Sequence, residues 1–390
     1  MELKKQLVGK NRDETAILFT VIASFLPFYI SLLSLAVISV YIFVNKARRT
    51  ASTGGIANII AYGFIALSAF TAFVYDNWLG IWVSLWLFCA LTLLNFSAAV
   101  VNKDFFIRRL RMITAMSVMV SFGAFADKLM HGLEDPVYRT QGYCMNANYL
   151  AEILFLSVLA AAYLQITKSA KPFYCYAVAF IDCIAIYLTG SMFAWVSVFI
   201  GLSLLLILTR HHVLMSMMFM ATASAILVLM SMPELFPRLN EAASTTSSRF
   251  EIWKICIDAI KELPYFGRGF FPYRLIAEVT EGAFVGWHSH NIILECLLSF
   301  GIVGSLMAAS YFLIFFKRLG KMHEALKNSN NTISAFIFAL MIAVGVHAMT
   351  DLTFMWAQTA QIGAILLGGA MGASIKMVNE KEAAENKAEI

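Results

Sequence analysis

Apolar residues run along this chain in long unbroken stretches, at about 15–44, 56–75, 78–101, 112–129, 143–166, 173–189, 191–208, 213–232, 291–316, 332–350 and 354–375. A helix needs about 20 apolar residues to cross a bilayer, whereas a barrel strand shows only about ten in alternation. The pattern therefore predicts an all-α, polytopic integral membrane protein. The polar segments between the runs alternate in kind. Lys46, Arg48 and Arg49 mark one basic loop, and Lys103, Arg108, Arg109 and Arg111 the next. Lys168 with Lys171, then Arg210, then Lys317, Arg318, Lys321 and Lys327 mark the others. The loops at 76–77, 130–142, 190–191 and 351–353 carry few basic residues or none. Basic loops stay on the cytoplasmic side, so this alternation orients the chain.

The first run departs from one run per crossing. Lys4, Lys5, Lys10 and Arg12 place the N-terminus on the same side as the loop at 45–55, so residues 15–44 must cross an even number of times. Thirty residues make about 45 Å of helix, and two full crossings need roughly 60 Å. Two short or tilted helices breaking near Pro27, or a re-entrant hairpin, reconcile these facts. A single tilted span with an outside N-terminus is the alternative. The expectation is about twelve transmembrane helices in a single domain over 1–390. Both termini lie inside, and 376–390 forms a charged cytoplasmic tail.

One long polar segment, 233–290, then falls on the outer side. Ser247 or Ser248 is its expected helix N-cap, with Glu251 completing a capping box, and Pro264 stops that helix after Leu263. Phe250, Trp253, Ile257 and Ile260 recur at three and four residues. They predict an amphipathic helix whose apolar face lies on the membrane surface or on the tops of other spans. Gly267-Arg268-Gly269 reads as a tight turn, and the segment from there through Arg274 to Trp287 as flexible. His288-Ser289-His290-Asn291 closes the loop where the next apolar run begins.

The candidate chemistry concentrates here. A helix start after Asn291 offers unpaired amides to an anion such as phosphate, unless Asn291 is simply the cap. His290 titrates near neutrality in an ordinary setting and is suited to take a proton from a hydroxyl. The guanidinium of Arg249 can hold phosphate oxygens, or can anchor the loop to lipid headgroups. His288 and His290 have metal-ligand spacing, but no carboxylate or third histidine sits at helical spacing beside them, so no metal site is expected. Within the spans, Asp127, Asn148, Glu152, Asp182, Glu295 and His347 are polar where ionised groups are costly, and either pair structurally or line a path. His347 and Asp351, one turn apart, either line an acceptor site or cap a turn.

Composition adds bounds. The 390 residues are 60% hydrophobic and 14% charged, far from the roughly 25% charged of soluble domains. The net charge of +5 sits in short loops, where membrane orientation explains it and no nucleic-acid partner is implied. No phosphate-binding loop, dinucleotide fingerprint or metal cluster occurs, so no cofactor is expected. ATP and nucleotide sugars are cytoplasmic. Chemistry in the outer loop must therefore draw on a membrane-borne donor or a gradient.

The ordered set of motifs resembles the O-antigen ligase and O-antigen polymerase superfamily. It comprises Arg249 and Trp253 on one helix, then Pro264, Gly267 and Gly269, then His290, Asn291, Leu294, Gly301 and Gly304. Arg139 and Gly142, followed by Asn148-Tyr149-Leu150-Ala151, are similar to a second pattern of that family. The resemblance implies an inverting, metal-independent glycosyltransferase of the bacterial cytoplasmic (inner) membrane, with its active site facing outward. Its donor is a glycan on undecaprenyl diphosphate, and its acceptor hydroxyl is lipid- or glycan-linked, as in cell-surface polysaccharide synthesis. His290 would deprotonate or orient the acceptor, and Arg249 would neutralise the departing diphosphate. Arg139, Arg268, Arg274, His288, Asn291 and Trp253 would help bind substrate. The sequence departs from the family at Leu188-Thr189-Gly190-Ser191-Met192, where methionine stands in place of an expected arginine, and Arg139, Arg268 or Arg274 are the candidates to supply that charge. A repeat-unit polymerase of the same family and a transporter or flippase of lipid-linked sugars are the competing readings.

Overall fold

Pro27 divides the first apolar run into two helices, α1 (Lys10–Ala23) and α2 (Phe28–Val44). Proline lacks the amide a continuing helix needs and restricts the residue before it. Asp13 near the start of α1 meets Tyr41 (2.7 Å) near the end of α2 and Arg48 (2.8 Å) just beyond it. The two helices therefore run antiparallel and return the chain to the end of the bundle where it started, which excludes a single span over 15–44. The structure, a computed structural model, describes residues 10–132, 135, 137–235, 242–326 and 332–388. Lys4, Lys5 and Lys327 lie outside them.

The chain continues through α3 (Lys46–Thr53), α4 (Ile56–Val74), α5 (Trp78–Val100), α6 (Lys103–His131), α7 (Ala147–Ile166) and α8 (Pro172–Thr189). Then come α9 (Met192–Leu208), α10 (His212–Ser231), α11 (Ala242–Glu262), α12 (Tyr273–Val279), α13 (Ile292–Ala325), α14 (Ile333–Ala348) and α15 (Ala357–Ala388). Among the described residues, 8 helices are long and apolar enough to cross a membrane, or 9 if α2 and α3, bent by 110°, count as one span. The apolar helices α9 and α14 are shorter, at 17 and 16 residues. The molecule is thus an all-α, multi-pass membrane protein. α7 is its axis, because ANYLAEILFLSVLAAAYLQI is apolar on every side and 89% of its spanning window is buried. α10 has no buried residue and lies at the edge of the bundle, with Phe219 against Phe199 of α9 at 5.4 Å.

The outer segment differs from its expected form in four respects. Its first helix begins at Ala242, ahead of the expected caps Ser247 and Ser248. The stripe it buries is Ile252, Cys256 and Ala259, packed against Tyr273, Ala277 and Leu298. Phe250 and Ile257, on the face expected to meet the membrane surface or the tops of other spans, are exposed on the protein. The helix has two apolar stripes, and hydrophobic spacing alone does not rank them. The segment expected to be flexible contains α12, seated on α11 by Tyr273 and Ala277. Finally, the apolar run at 291–316 is not one straight span, since α13 breaks at Gly301 (φ 59°, ψ −166°).

That break is where the loop is fastened. The carbonyls of Pro264 and Tyr265 accept from the amides of Ile302 (2.8 Å) and Val303 (2.9 Å), satisfying the start of the second half of α13. The carbonyl of Ser299, at the end of the first half, accepts from Gly269 (2.8 Å). A Cβ on Gly267 would lie 2.4 Å from the backbone of Ser299, and one on Gly301 would lie 2.3 Å from that of Tyr265. Both glycines hold positive φ. The Pro264–Gly269 turn is spliced into the broken helix, and Asn77 ties it to the start of α5 through the carbonyls of Arg268 (3.0 Å) and Phe270 (2.8 Å).

Candidate functional site

His288 and His290 are presented by a short loop whose backbone is held from two sides. Glu295, buried one turn into α13, accepts the Ser289 amide at 2.8 Å and the Ser299 hydroxyl at 3.0 Å. The Trp253 indole on α11 donates to the Ser289 carbonyl at 3.0 Å. Trp253 thus clamps the histidine loop, a role its spacing from Arg249 did not reveal. His290 itself sits at φ 53°, a left-handed conformation that costs a non-glycine residue about 1–3 kcal/mol and is kept where surroundings impose it.

The helix start after this loop is not an open anion site. The side chain of Asn291 accepts from the amides of Ile293 (2.9 Å) and Leu294 (3.2 Å), and its carbonyl accepts from Glu295 (2.9 Å). The amides expected to meet a phosphate are already capped. Asn291 is the N-cap of α13.

Asp351 is the residue that assembles the site. It follows α14, is 4% exposed, and has its Oδ1 3.1 Å from Nε2 of His288, though not aligned as a hydrogen bond. Its Oδ2 accepts from the side-chain amide of Asn148 on α7, whose oxygen in turn accepts from Arg139. The two upstream motifs and the downstream histidines are therefore one network. Beneath it, Glu152 contacts Thr353 and lies 3.7 Å from His347. Trp356 stacks between Trp86 (5.7 Å) and Phe271 (5.6 Å), and Phe271 lies 5.7 Å from His288.

The hydrogen bonds assign the ring protons. Nδ1 of His288 accepts from the His290 amide (3.2 Å), so the His288 proton rests on Nε2, toward Asp351. Nδ1 of His290 lies 3.2 Å from the Thr350 carbonyl, which can only accept, so His290 carries its proton on Nδ1. Its Nε2 is left as a lone pair. Burial, then the neighbouring His288, lower the pKa of His290 to about 4. Burial also pulls His288 down, but Asp351 outweighs it and leaves His288 above the ordinary histidine value. Burial opposes ionisation of Asp351, but the adjacent His288 holds it well below the usual carboxylate range.

Arg249 is half-buried near this cluster. Burial lowers its pKa and the field of Asp351 opposes the fall. Among the described residues its guanidinium has no hydrogen-bond or ion-pair partner. The other arginines are engaged. Arg268 holds the Ala259 carbonyl (3.0 Å) and Glu262 (3.1 Å), bracing the turn. Arg274 pairs with Glu278 (2.8 Å) and lies over the Trp287 ring (4.2 Å). Arg139 donates to the Thr189 carbonyl at 2.8 Å. It thus brings a guanidinium to the Leu188–Met192 stretch, where Met192 is 40% exposed.

The structure also supplies the carboxylate that the histidine spacing lacked. Ligand atoms of His288, His290 and Asp351 lie within 4.8 Å of one another, a set able to hold a metal ion. Sequence spacing missed it because Asp351 arrives from another helix pair. Replacing Asp351 with asparagine removes the anion beside His288 and is expected to lower the His288 pKa, as read by NMR titration of labelled histidine rings. An unmoved titration would mean that another group sets it.

The family described as O-antigen ligase matches residues 177–309. That range contains Arg249, Trp253, the Pro264–Gly269 turn, both histidines and the break at Gly301; Arg139, Asn148 and Asp351 lie outside it. No curated protein matches the chain.

Proposed function

From the premise that this chain carries an O-antigen ligase domain, which places it in that superfamily, we propose that it transfers a glycan from undecaprenyl diphosphate to an acceptor hydroxyl. The observation that carries this reading is the unprotonated Nε2 of His290, fixed by the Nδ1 contact with Thr350 and set near Arg249, whose guanidinium has no hydrogen-bond or ion-pair partner among the described residues. The acceptor oxygen attacks the anomeric carbon from the face opposite the diphosphate, and the bond from that carbon to the diphosphate oxygen breaks. His290 Nε2 takes the hydroxyl proton. Arg249 meets the charge that collects on the departing diphosphate, where a fixed cation acts more strongly than it would in water. Inversion at the anomeric centre follows from that line of attack.

Asp351 orients this machinery through His288 and ties it to Arg139 by way of Asn148. The dianionic diphosphate raises the basicity of His290 once bound, because a nearby negative charge favours the protonated ring. In this mechanism His290 acts as a base and the cluster with Asp351 holds no metal. The positive field of Arg249, which acts on both histidines, disfavours a second cation there. The site faces outward from the inner membrane, and the twelve-crossing layout follows if α1, α2, α9 and α14 each cross.

The test supplies purified protein with an undecaprenyl-diphosphate glycan and an acceptor, without nucleotide and with a metal chelator. Glycosylated acceptor should form one-for-one with released undecaprenyl diphosphate. Dependence on added metal would replace the base mechanism with a metal-centred one. Movement of lipid-linked glycan across sealed vesicles, with no acceptor-dependent release, would favour a transporter.

A further inference from the structure

Glu152 on α7 and His347 on α14 are each 1% exposed, so they line no path, and no step of the transfer mechanism uses them. Ionisable groups inside a membrane bundle are costly, and those kept there commonly serve a site. Both meet on Thr353. Its hydroxyl donates to Oε2 of Glu152, which leaves the oxygen to accept from Nδ1 of His347 at 3.0 Å. The Thr353 carbonyl accepts from the Thr359 hydroxyl and, at 3.0 Å, from the Trp356 amide. Thr353 is fully buried and is fixed through side chain and backbone at once.

Thr353 belongs to the turn between α14 and α15, and that turn carries three groups of the candidate site. The Thr350 carbonyl receives the Nδ1 proton of His290, and the Asp351 carboxylate faces His288. Trp356, at the end of the turn, stacks on Phe271 beside His288. His347 grips the turn twice. Its carbonyl accepts from the amides of Thr350 and Asp351, each at 3.0 Å, and its ring holds Thr353 beyond them. Asn148 and Glu152, four residues apart, stand on one face of α7. They hold Asp351 and Thr353, two residues apart in the turn, against the axis of the bundle.

The proton position on a histidine ring is set by the hydrogen bond its other nitrogen makes. We propose that Glu152 is a positioning residue for the base. Acting through Thr353, it holds the turn so that the Thr350 carbonyl keeps the His290 proton on Nδ1 and leaves Nε2 bare. This role rests on the reading of His290 as the base, whereas the ring tautomer belongs to the resting protein and is read without turnover.

Nitrogen-15 NMR of the full-length protein with labelled histidine tests this, with the His290 signals assigned by their loss in His290→Asn. Wild-type His290 should carry its proton on Nδ1. Glu152→Met should move a large share of His290 rings to the Nε2-protonated form and lower kcat about 10²-fold, with KM for the glycan donor little changed. Glu152→Gln, whose side-chain oxygen still accepts from Thr353, should keep both the tautomer and the rate. Thr353→Val removes the hydroxyl between Glu152 and His347. It should reproduce both changes, and it carries the test should Glu152→Met fail to fold. An unmoved tautomer in these two variants would overturn the role of Glu152, whether or not transfer is detected. A moved tautomer with wild-type kcat would instead overturn His290 as the base.

Discussion

Replacing His290 with asparagine lowers kcat/KM for glycan transfer about 10²–10⁴-fold, the range a positioned general base contributes. Asparagine is the informative substitute. It tolerates the left-handed backbone that His290 adopts at φ 53°, and its amide can still donate toward the Thr350 carbonyl. What it lacks is a basic atom in place of Nε2. Alanine would add backbone strain to the loss of the base and confound the two effects. The check is kcat/KM alongside the thermal midpoint in detergent. A midpoint near that of the wild type with a large kinetic loss is the expected pair of results.

Replacing Gly301 with alanine destabilises the protein by about 2–6 kcal/mol, combining the strain of a glycine-only conformation with an overpacked contact. The backbone at φ 59°, ψ −166° has no equivalent for an L side chain. The new Cβ would also meet the Tyr265 carbonyl carbon at 2.3 Å, where backbone cannot yield as a side chain would. Because the Pro264–Gly269 turn is hydrogen-bonded into the same break, relief of the clash unseats the turn and with it the histidine loop. Activity should therefore fall with the midpoint. Gly320→Ala on the same helix meets nothing within 4 Å and should leave both unchanged. A wild-type midpoint in Gly301→Ala would show that the break is not needed.

Much of this architecture was legible in the chain. Continuous apolar runs gave a membrane-spanning helical bundle. Charge at Arg12, Arg48 and Arg49 demanded an even number of passes before residue 45, and the Asp13–Arg48 pair closes that hairpin. What stayed hidden depends on contacts between distant segments. Gly267 and Gly301 read as motif positions, yet their use is mutual and visible only when the turn lies in the helix break. Asp351 stood in the sequence as half of a helical pair with His347. Its partners His288 and Asn148 come from the outer loop and from α7, and no local period links them. The stripe that α11 buries, Ile252, Cys256 and Ala259, did not stand out in the chain because the other face is also greasy, with Phe250 61% exposed. A membrane protein does not separate buried from exposed by polarity alone.

In the proposed transfer the unprotonated Nε2 of His290 takes the proton of the acceptor hydroxyl. The pH dependence of kcat/KM, measured for wild type and His290→Asn together, tests it most directly, because that parameter reports the free enzyme's groups. The base is present above its pKa, and burial with the adjacent His288 places that pKa at about 4, against the opposing field of Asp351. The wild-type rate should stay level as pH falls through 6.5 and drop only towards 4. The variant should be slow throughout, with no such limb. A variant within threefold of wild type that keeps the same acid limb would contradict His290 as the base.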